Sequence, residues 1–330
     1  MNFFKQKKWE NFSGNVNIYK NLKESDIPKI INEPHIRALQ FYEFKTPSIS
    51  TWKVLNEFYR QNPEIQLHIC WHDTVNFEFL KYIPSVRNFA VTSYHTKDFT
   101  PIRQYLDLEI LSIGVTKSIA TDLSFIAEFD NLEELYIDGM KKGLDSISQL
   151  IKLKSLILRG IKLDSLEIIR DLNHLEVLKL YFGSYKDLDA ISAQTNLKKL
   201  GISRTRQIEN YHFLDSLSNL EKLYFEGMSQ MEKLPNLKGL SSLKFIQLDN
   251  NRRLTDISSM SELKCLETFL LFFPENFKVA WRKSLLEQSS NILMKSNTVK
   301  ATNLLDSIDE RVKLELVEKG IKWNKNQYFD

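Results

Sequence analysis

The side chains with the most potential for chemistry are concentrated in one hexapeptide, His68-Ile69-Cys70-Trp71-His72-Asp73. Alternate residues of a strand share a face, so His68 and Cys70 would stand side by side, as two ligands of a zinc ion would. Zinc sites in proteins usually need more ligands than one pair supplies. The matching positions on the neighbouring strands hold Gln40, Tyr42, Ala90 and Thr92. We therefore expect no metal site and no cofactor, and we assign the hexapeptide a structural or partner-contact role.

Sequence patterns typical of catalysis are also missing. The chain contains no G-x-S-x-G nucleophile elbow, no glycine-rich loop that could cradle a phosphate and no H-E-x-x-H motif. The acidic pair Glu133 and Glu134 is a poor acid–base pair, because adjacent residues of a strand point to opposite faces. The sequence thus indicates a protein that is not an enzyme.

Composition narrows the class of protein further. The chain has 330 residues, and its 45 Lys+Arg and 42 Asp+Glu give a formal net charge of +3. Charges of both signs are interspersed, which is unlike the single-sign field that a nucleic-acid backbone attracts. With only 10 Gly and 8 Pro, the chain has no obvious flexible linker between domains. These features favour one continuous body that does not bind nucleic acid.

The cysteines and the apolar segments predict where the protein works. Cys70 and Cys265 lie far apart in a long chain, unlike the dense pattern of a disulfide-stapled secreted scaffold. Residues 1–10 lack the apolar core of a signal peptide. The densest apolar run, 269–273, is far shorter than the roughly 20 residues that span a bilayer. We expect a cytoplasmic protein that does not enter membranes.

A repeat of 21 to 28 residues positions these side chains. The phrase apolar-x-x-apolar-x-apolar is clearest at 108–113, and its frame starts at residues 13, 36, 64, 86, 108, 132, 153, 175, 197, 220, 243 and 266. The fourth and sixth positions are apolar in every unit. Such alternation is typical of a short strand with one buried face.

A second apolar register appears when residues are counted back from the start of the next unit. Nine residues before it stand Ile27, Leu55, Phe77, Phe99, Leu123, Leu144, Leu166, Leu188, Tyr211, Leu234 and Ile257. Six residues before it stand Ile30, Phe58, Leu80, Ile102, Ile126, Ile147, Ile169, Ile191, Leu214, Leu237 and Met260. A spacing of three predicts a 3₁₀ or short helical ridge that faces the same core as the strand. Residues 50–59 predict a longer helix.

These phrases resemble those of the leucine-rich repeat family over about residues 13–273, with units close to its short bacterial and phosphatase-regulator-like classes. The family usually places Asn at the ninth position. Among the units that start between 108 and 243, only the last has it, at Asn251. The resemblance implies an α/β solenoid that curves, with a parallel β-sheet on its concave face and 3₁₀ or short helices on its convex face. It also implies that the fold binds proteins.

The ends of such a stack must be covered, because a terminal unit would otherwise expose core. We predict an N-terminal cap over 1–12, in which Phe3, Phe4, Trp9 and Phe12 shield the first strand. The repeats then occupy 13–273. Residues 281–294 and 306–318 predict amphipathic helices, so we assign 274–330 to a helical C-terminal cap in which Gly320 ends the second helix. The alternative is that 274–330 is a separate functional domain.

The third, fifth and seventh positions of each unit project from the sheet on its exposed side. Large rigid side chains supply contact area at low entropic cost there, and scattered charges set orientation. The predicted contact patch consists of Tyr136, Asp138, Arg159, Lys179, Tyr181, Phe182, Arg204, Tyr224, Glu226 and Asp249. An alternative is that these are solvated strand residues with no partner.

The sequence therefore predicts a non-catalytic scaffold that binds another protein in its concavity and is a monomer when unbound. A cytosolic inhibitor, such as an immunity protein against a bacterial toxin or enzyme, is the concrete hypothesis. The alternative is an internalin-like effector or host-interaction protein that acts outside its producer. A polynucleotide or peptidoglycan binder would need a basic stripe or a sugar-stacking groove, and the alternating charge disfavours the first.

Overall fold

The structure is a computed structural model, and it describes residues 7–42, 44–117, 121–324 and 329. The chain forms two compact units, Met1–Leu153 (unit 1) and Lys154–Asp330 (unit 2). The sequence repeat passes across this division without a change of period, so it predicts no boundary there.

The described residues of unit 1 form a sheet of seven strands. They are β1 Trp9–Phe12, β2 Asn15–Ile18, β3 Ala38–Phe41, β4 Gln66–Trp71, β5 Asn88–Ser93, β6 Ile110–Ile113 and β7 Glu134–Asp138. β1 and β2 form an antiparallel hairpin, and β2 to β7 then pair in parallel and in sequence order. Two α-helices, α1 Ile27–Ile31 and α2 Ile49–Gln61, and five 3₁₀ helices connect the strands; the latter are Glu24–Asp26, Phe77–Tyr82, Thr100–Gln104, Ser124–Glu128 and Leu144–Gln149.

Unit 2 continues the same construction. Its strands are β8 Ser155–Arg159, β9 Lys162–Ser165, β10 Val177–Tyr181, β11 Ser184–Asp187, β12 Lys199–Ser203, β13 Lys222–Glu226, β14 Phe245–Asp249, β15 Thr268–Phe272, β16 Ala301–Thr302 and β17 Lys322–Trp323. β9 and β11 form a small parallel sheet, and the others form one parallel ladder in sequence order. Its helices are α3 Val279–Lys295, α4 Glu310–Glu318 and the 3₁₀ helices Glu167–Ile169, Asp189–Ala193, His212–Ser216 and Ser258–Glu262.

The repeat positions predicted to be buried form the cores of both units. Every side chain at the fourth and sixth positions of the twelve units is at most 4% exposed. The residues six before each next unit are buried as well, and of those nine before only Ile27 and Tyr211 are partly exposed. Because burying a large apolar side chain stabilises by about 1.5–3 kcal/mol, these columns make a large contribution to the driving force for folding. The leucine-rich-repeat architecture predicted from the sequence is confirmed.

The eighth position of the repeat turns the chain away from the sheet. It is left-handed in six consecutive units, at Gly139, Gly160, Phe182, Arg204, Gly227 and Asn250. In unit 2 its N–H donates to the seventh-position carbonyl of the next strand, as from Phe182 to Ser203 (2.8 Å) and from Arg204 to Glu226 (2.7 Å). These bonds extend the ladder past the last strand residue and hold the turn in place.

Asn251 makes the loop bonds that the family's ninth position implies. Its side-chain oxygen accepts from the N–H of Met228 at 2.8 Å, and its amide nitrogen donates to the carbonyl of Phe225 at 3.0 Å. At the ninth position of another unit, the Thr205 hydroxyl donates to the Leu180 carbonyl at 3.1 Å. A shorter side chain thus supplies part of the same backbone support.

The two ends differ in detail from the predicted caps. At the N-terminal end β1 itself pairs with β2, whereas the Phe12 ring is 50% exposed and does not cover the core; Phe3 and Phe4 lie outside the described residues. At the other end β16 pairs with β15 and β17 with β16, so residues 274–330 add strands as well as helices. Gly320, at φ +89°, follows α4 in the left-handed conformation typical of a helix end.

Candidate functional site

The exposed side of the unit 2 ladder carries two rows of side chains in strict register. The row of fifth positions contains Lys179, Gly201, Tyr224, Gln247 and Leu270, each the partner of the next across neighbouring strands. The row of seventh positions contains Arg159, Tyr181, Ser203, Glu226, Asp249 and Phe272. We call these two rows, together with Phe182 and Arg204 that follow them in the turns, the unit 2 face. Parallel strands lie about 4.8 Å apart, so adjacent members of a row contact each other.

Glu226 is the hydrogen-bonding centre of the unit 2 face. Its carboxylate accepts from the hydroxyl of Tyr224 at 2.9 Å, from the Ser203 hydroxyl and from the Arg204 guanidinium at 3.0 Å. The Glu226 side chain is only 19% exposed. Burial, followed by the bond to Glu226, raises the pKa of Tyr224 far above its ordinary value, so the phenol stays protonated and donates. These bonds fix four side chains before any partner arrives.

Asp249 is the cross-strand partner of Glu226, and the cation that acts on it is the same Arg204 guanidinium. Burial and then the neighbouring Glu226 carboxylate raise the pKa of Asp249, while Arg204 and Gln247 counteract them. Two carboxylates therefore share one guanidinium at this end of the unit 2 face. A cation brought by another molecule would relieve that imbalance.

Phe182 stands at the rim of the face between two cations. The Arg159 guanidinium carbon lies 4.9 Å from the centre of its ring, and that of Arg204 lies 5.4 Å away. Phe182 is 45% exposed and adopts a left-handed backbone at φ 55°. A non-glycine residue in that conformation costs roughly 1–2 kcal/mol. The Phe182 ring is therefore partly exposed to water, its backbone is strained, and the guanidinium groups of Arg159 and Arg204 both lie close to it.

A cup for an aromatic ring opens in the fifth-position row at Gly201. The ring of Phe329 stacks on Tyr224 with 5.2 Å between ring centres and 23° between planes, and the Lys179 ammonium lies 5.4 Å from its centre. Phe329 packs in one cluster with the buried Phe245 and Leu270. We call the depression formed by Gly201, Tyr224, Gln247 and Leu270 the Gly201 cup. Beside Phe329 there is an open space of about 260 Å³, and residues of the face such as Tyr181 and Glu226 also line it.

In unit 1, the two predicted patch residues lie together on β7. The Tyr136 hydroxyl donates to a carboxylate oxygen of Asp138 at 3.4 Å. Asp138 is only 7% exposed, so it contributes little accessible surface.

In the hexapeptide at 68–73, the side chains of His68 and Cys70 are partly buried. Nε2 of His68 lies 3.3 Å from the Thr92 hydroxyl, and burial lowers the pKa of His68 to about 4. Burial raises the pKa of Cys70, which keeps its thiol protonated. In the described ranges, no three His, Cys, Asp or Glu side chains come close enough to hold a metal ion. The part of the chain described also contains no helix both long and apolar enough to cross a membrane.

The ten residues predicted to form one contact patch divide between the units. Tyr136 and Asp138 belong to unit 1, and the other eight lie on the unit 2 face. Their role in binding stays a prediction. The prediction left out five residues of the face, Gly201, Ser203, Gln247, Leu270 and Phe272, and it left out Phe329, which lies against the face. Gly201 was visible as the one gap between bulky neighbours in its column, whereas no local signal could have brought Phe329 to a strand 82 residues away.

Comparison with known proteins supports the fold. No known protein-family profile matches the chain, and no curated protein sequence matches it. Among solved structures, an internalin (InlF) from Listeria monocytogenes is 14% identical with a TM-score of 0.55, over 93% of this chain and 90% of that one. An internalin C2 from the same organism is 18% identical with a TM-score of 0.47, over 62% of this chain and 84% of that one.

A more distant similarity is to the plant peptide hormone receptor RGFR1 in complex with RGF2, which is 16% identical with a TM-score of 0.48, over 81% of this chain and 45% of that one. Identities this low report on fold alone. The similarity to InlF, together with the repeat columns, the ladder and the loop bonds of Asn251, shows that the chain has the leucine-rich-repeat fold.

Proposed function

We propose that the unit 2 face binds a protein partner and that the chain performs no chemistry on it. The single observation that carries the proposal is Phe182, an exposed ring between Arg159 and Arg204 on left-handed backbone. Exposed aromatics and arginines are enriched among residues that dominate binding energy. Strain of this kind persists where surrounding structure enforces it, and it clusters at binding sites.

Preorganisation supports the same proposal. The bonds to Glu226 fix Tyr224, Ser203 and Arg204 in the unbound protein. Ordering a mobile side chain on binding costs about 0.5–1.5 kcal/mol, so side chains that are already fixed leave more of the contact energy for affinity. The face also carries both signs of charge, with guanidiniums at Phe182 and carboxylates at Glu226 and Asp249. That arrangement orients a partner rather than attracting any polyanion.

Within this function, a cytoplasmic inhibitor of a toxin or enzyme is the specific role that we propose. A monomeric scaffold of this kind inhibits by covering the active site or binding surface of its partner. The alternative, an effector that acts outside its producer, draws on the fold shared with the internalins. Detection of the protein outside intact producing cells would favour the alternative, and inhibition of a purified partner at equimolar amounts would favour the inhibitor.

Photo-crosslinking tests the proposed face. Phe182 is replaced by benzoylphenylalanine in the cells that produce the protein, and covalent adducts are identified by mass spectrometry. The matched control carries the same group at Val279, an apolar residue of α3 that is 78% exposed. We expect a discrete protein adduct from position 182 and none from position 279. Equal labelling from both positions, or no adduct at position 182, would contradict the proposal.

A further inference from the structure

The Gly201 cup accommodates one aromatic side chain, that of Phe329. A Cβ atom built on Gly201 would lie 2.8 Å from Cε1 of Phe329, closer than real contacts allow, and a tight 3.2 Å from Cζ. The missing side chain therefore makes the room that the ring tip fills. Gly201 does not have the positive φ that demands glycine, since it lies within β12. Its lack of a side chain is explained by the ring above it.

The Gly201 cup binds the backbone of Phe329 as well as its ring. The N–H of Phe329 donates to the side-chain oxygen of Gln247 at 3.2 Å, and Gln247 is only 6% exposed. A buried amide that lost this donor would carry a desolvation cost of about 1–3 kcal/mol. The cup is thus built from an aromatic platform, an empty position and one oriented acceptor, none of which depends on which chain supplies the ring.

Phe329 is a contact that a competing ring could replace. Full burial of a Phe side chain stabilises by about 1.5–3 kcal/mol. Phe329 makes one backbone bond to Gln247, and its ring contacts Tyr224, the Lys179 ammonium and the cluster of Phe245 and Leu270, all of which a partner's ring could contact in its place. A space of about 260 Å³ that opens to solvent lies beside the ring. A partner that reached both the cup and that space would bury more than Phe329 does.

We propose that the Gly201 cup is a binding site for an aromatic side chain of the protein partner, and that Phe329 occupies it within the chain until the partner displaces it. This inference rests on the proposed function of the unit 2 face and specifies its central contact. The partner is then a polypeptide with an exposed aromatic residue whose backbone N–H can reach Gln247. Phe329 lowers the apparent affinity by the fraction of time that it fills the cup.

Fluorescence anisotropy with a defined peptide tests the cup. The probe is a fluorescein-labelled peptide, NKNQYFD, that carries the sequence of residues 324–330. We expect the full-length Phe329→Ala variant to bind it at least about tenfold more tightly than the wild type, since a cup filled nine-tenths of the time loses that factor. The peptide NKNQAAD is the ring-free control, and we expect it to bind neither protein measurably.

A second variant locates the binding. In the double variant Phe329→Ala, Gly201→Val the strand gains a β-branched residue, which strands accommodate well, while the cup is filled. We expect the double variant to bind NKNQYFD at least about tenfold more weakly than Phe329→Ala does. We also expect its thermal unfolding midpoint to be no lower than that of Phe329→Ala. Equal binding by wild type and Phe329→Ala, or by the single and double variants, would overturn the inference.

The outcome for the cup is separable from that for the face. If the adduct at position 182 forms and the identified partner binds Phe329→Ala and Gly201→Val proteins as well as it binds the wild type, the face stands and the cup inference fails. If the peptide behaves as expected but position 182 gives no adduct, the cup stands and the proposed function fails.

Discussion

Two strand faces at the same repeat positions, one in each unit, differ in what surrounds them. On β4 the fifth and seventh positions hold His68 and Cys70, the most reactive-looking pair in the sequence, with one hydroxyl contact and no third ligand. On β12 they hold Gly201 and Ser203, two of the least reactive residues, under a stacked ring and a carboxylate network. Residue type alone therefore identifies a candidate binding site poorly, because side chains from the neighbouring strands determine its surroundings.

The largest effect on stability is expected in a comparison of a buried position with an exposed position on the same strand. On β8, Leu156 is fully buried, whereas Ile157 beside it is partly exposed. We expect Leu156→Ala to lower the free energy of unfolding by about 2–5 kcal/mol through cavity formation, and Ile157→Ala by about 1 kcal/mol or less. Urea denaturation measures both. Similar losses at the two positions would contradict the assignment of strand faces.

The pH dependence of His68 tests whether the β4 face is structural. The folded-state pKa of about 4 lies below the ordinary value of 6.5, so the unfolded chain binds the extra proton first. This histidine's contribution is complete above pH 6.5 and is lost as the pH falls toward 4. We expect a loss of about 1–3 kcal/mol over that range in wild type and a flatter profile in His68→Gln. An unchanged profile in the variant would show that His68 is not buried in neutral form.

Glu226 provides the matching test on the other face. We expect Glu226→Gln to lower the free energy of unfolding by about 1–2 kcal/mol, since a carboxylate with several donors is replaced by a neutral amide. Glu221→Gln is the control, because Glu221 pairs with Lys244 at 3.2 Å while 47% exposed; we expect a change within about 0.5 kcal/mol. A loss at Glu221 as large as at Glu226 would mean that the network adds nothing beyond surface charge.

The smallest effect on stability is expected at Phe182. Phe182→Gly removes the left-handed strain of roughly 1–2 kcal/mol and also two cation–π contacts of about 0.5–1 kcal/mol each, so the free energy of unfolding changes by about 0.5 kcal/mol or less. Phe182→Ala keeps the strain but loses the contacts, and we expect it to be about 1 kcal/mol less stable than Phe182→Gly. Equal stability of the two variants in urea denaturation would remove the argument from strain.

The sequence was sufficient for the architecture because the repeat is written in residue spacing. Apolar fourth and sixth positions and the ridge residues determine strands and 3₁₀ segments locally, and stacking follows. The occupants of the exposed face were not predictable in the same way. The left-handed turn at Phe182 breaks the usual preference for glycine, and the seating of Phe329 over Gly201 depends on a contact that no local periodicity encodes. The strands β16 and β17 were missed because two residues are too short for an alternation to show.

The most direct test of the central claim is calorimetry between the full-length protein and the partner identified by crosslinking at position 182. Arg159→Glu alters the unit 2 face, and Arg170→Glu alters an arginine that pairs with Glu167 on a 3₁₀ segment. If the face is the binding surface, Arg159→Glu and Tyr181→Ala each weaken binding by at least about 1 kcal/mol, the level of an energetically important contact, and Arg170→Glu leaves it unchanged. Unchanged affinity in both face variants, or an equal loss in Arg170→Glu, would contradict the claim.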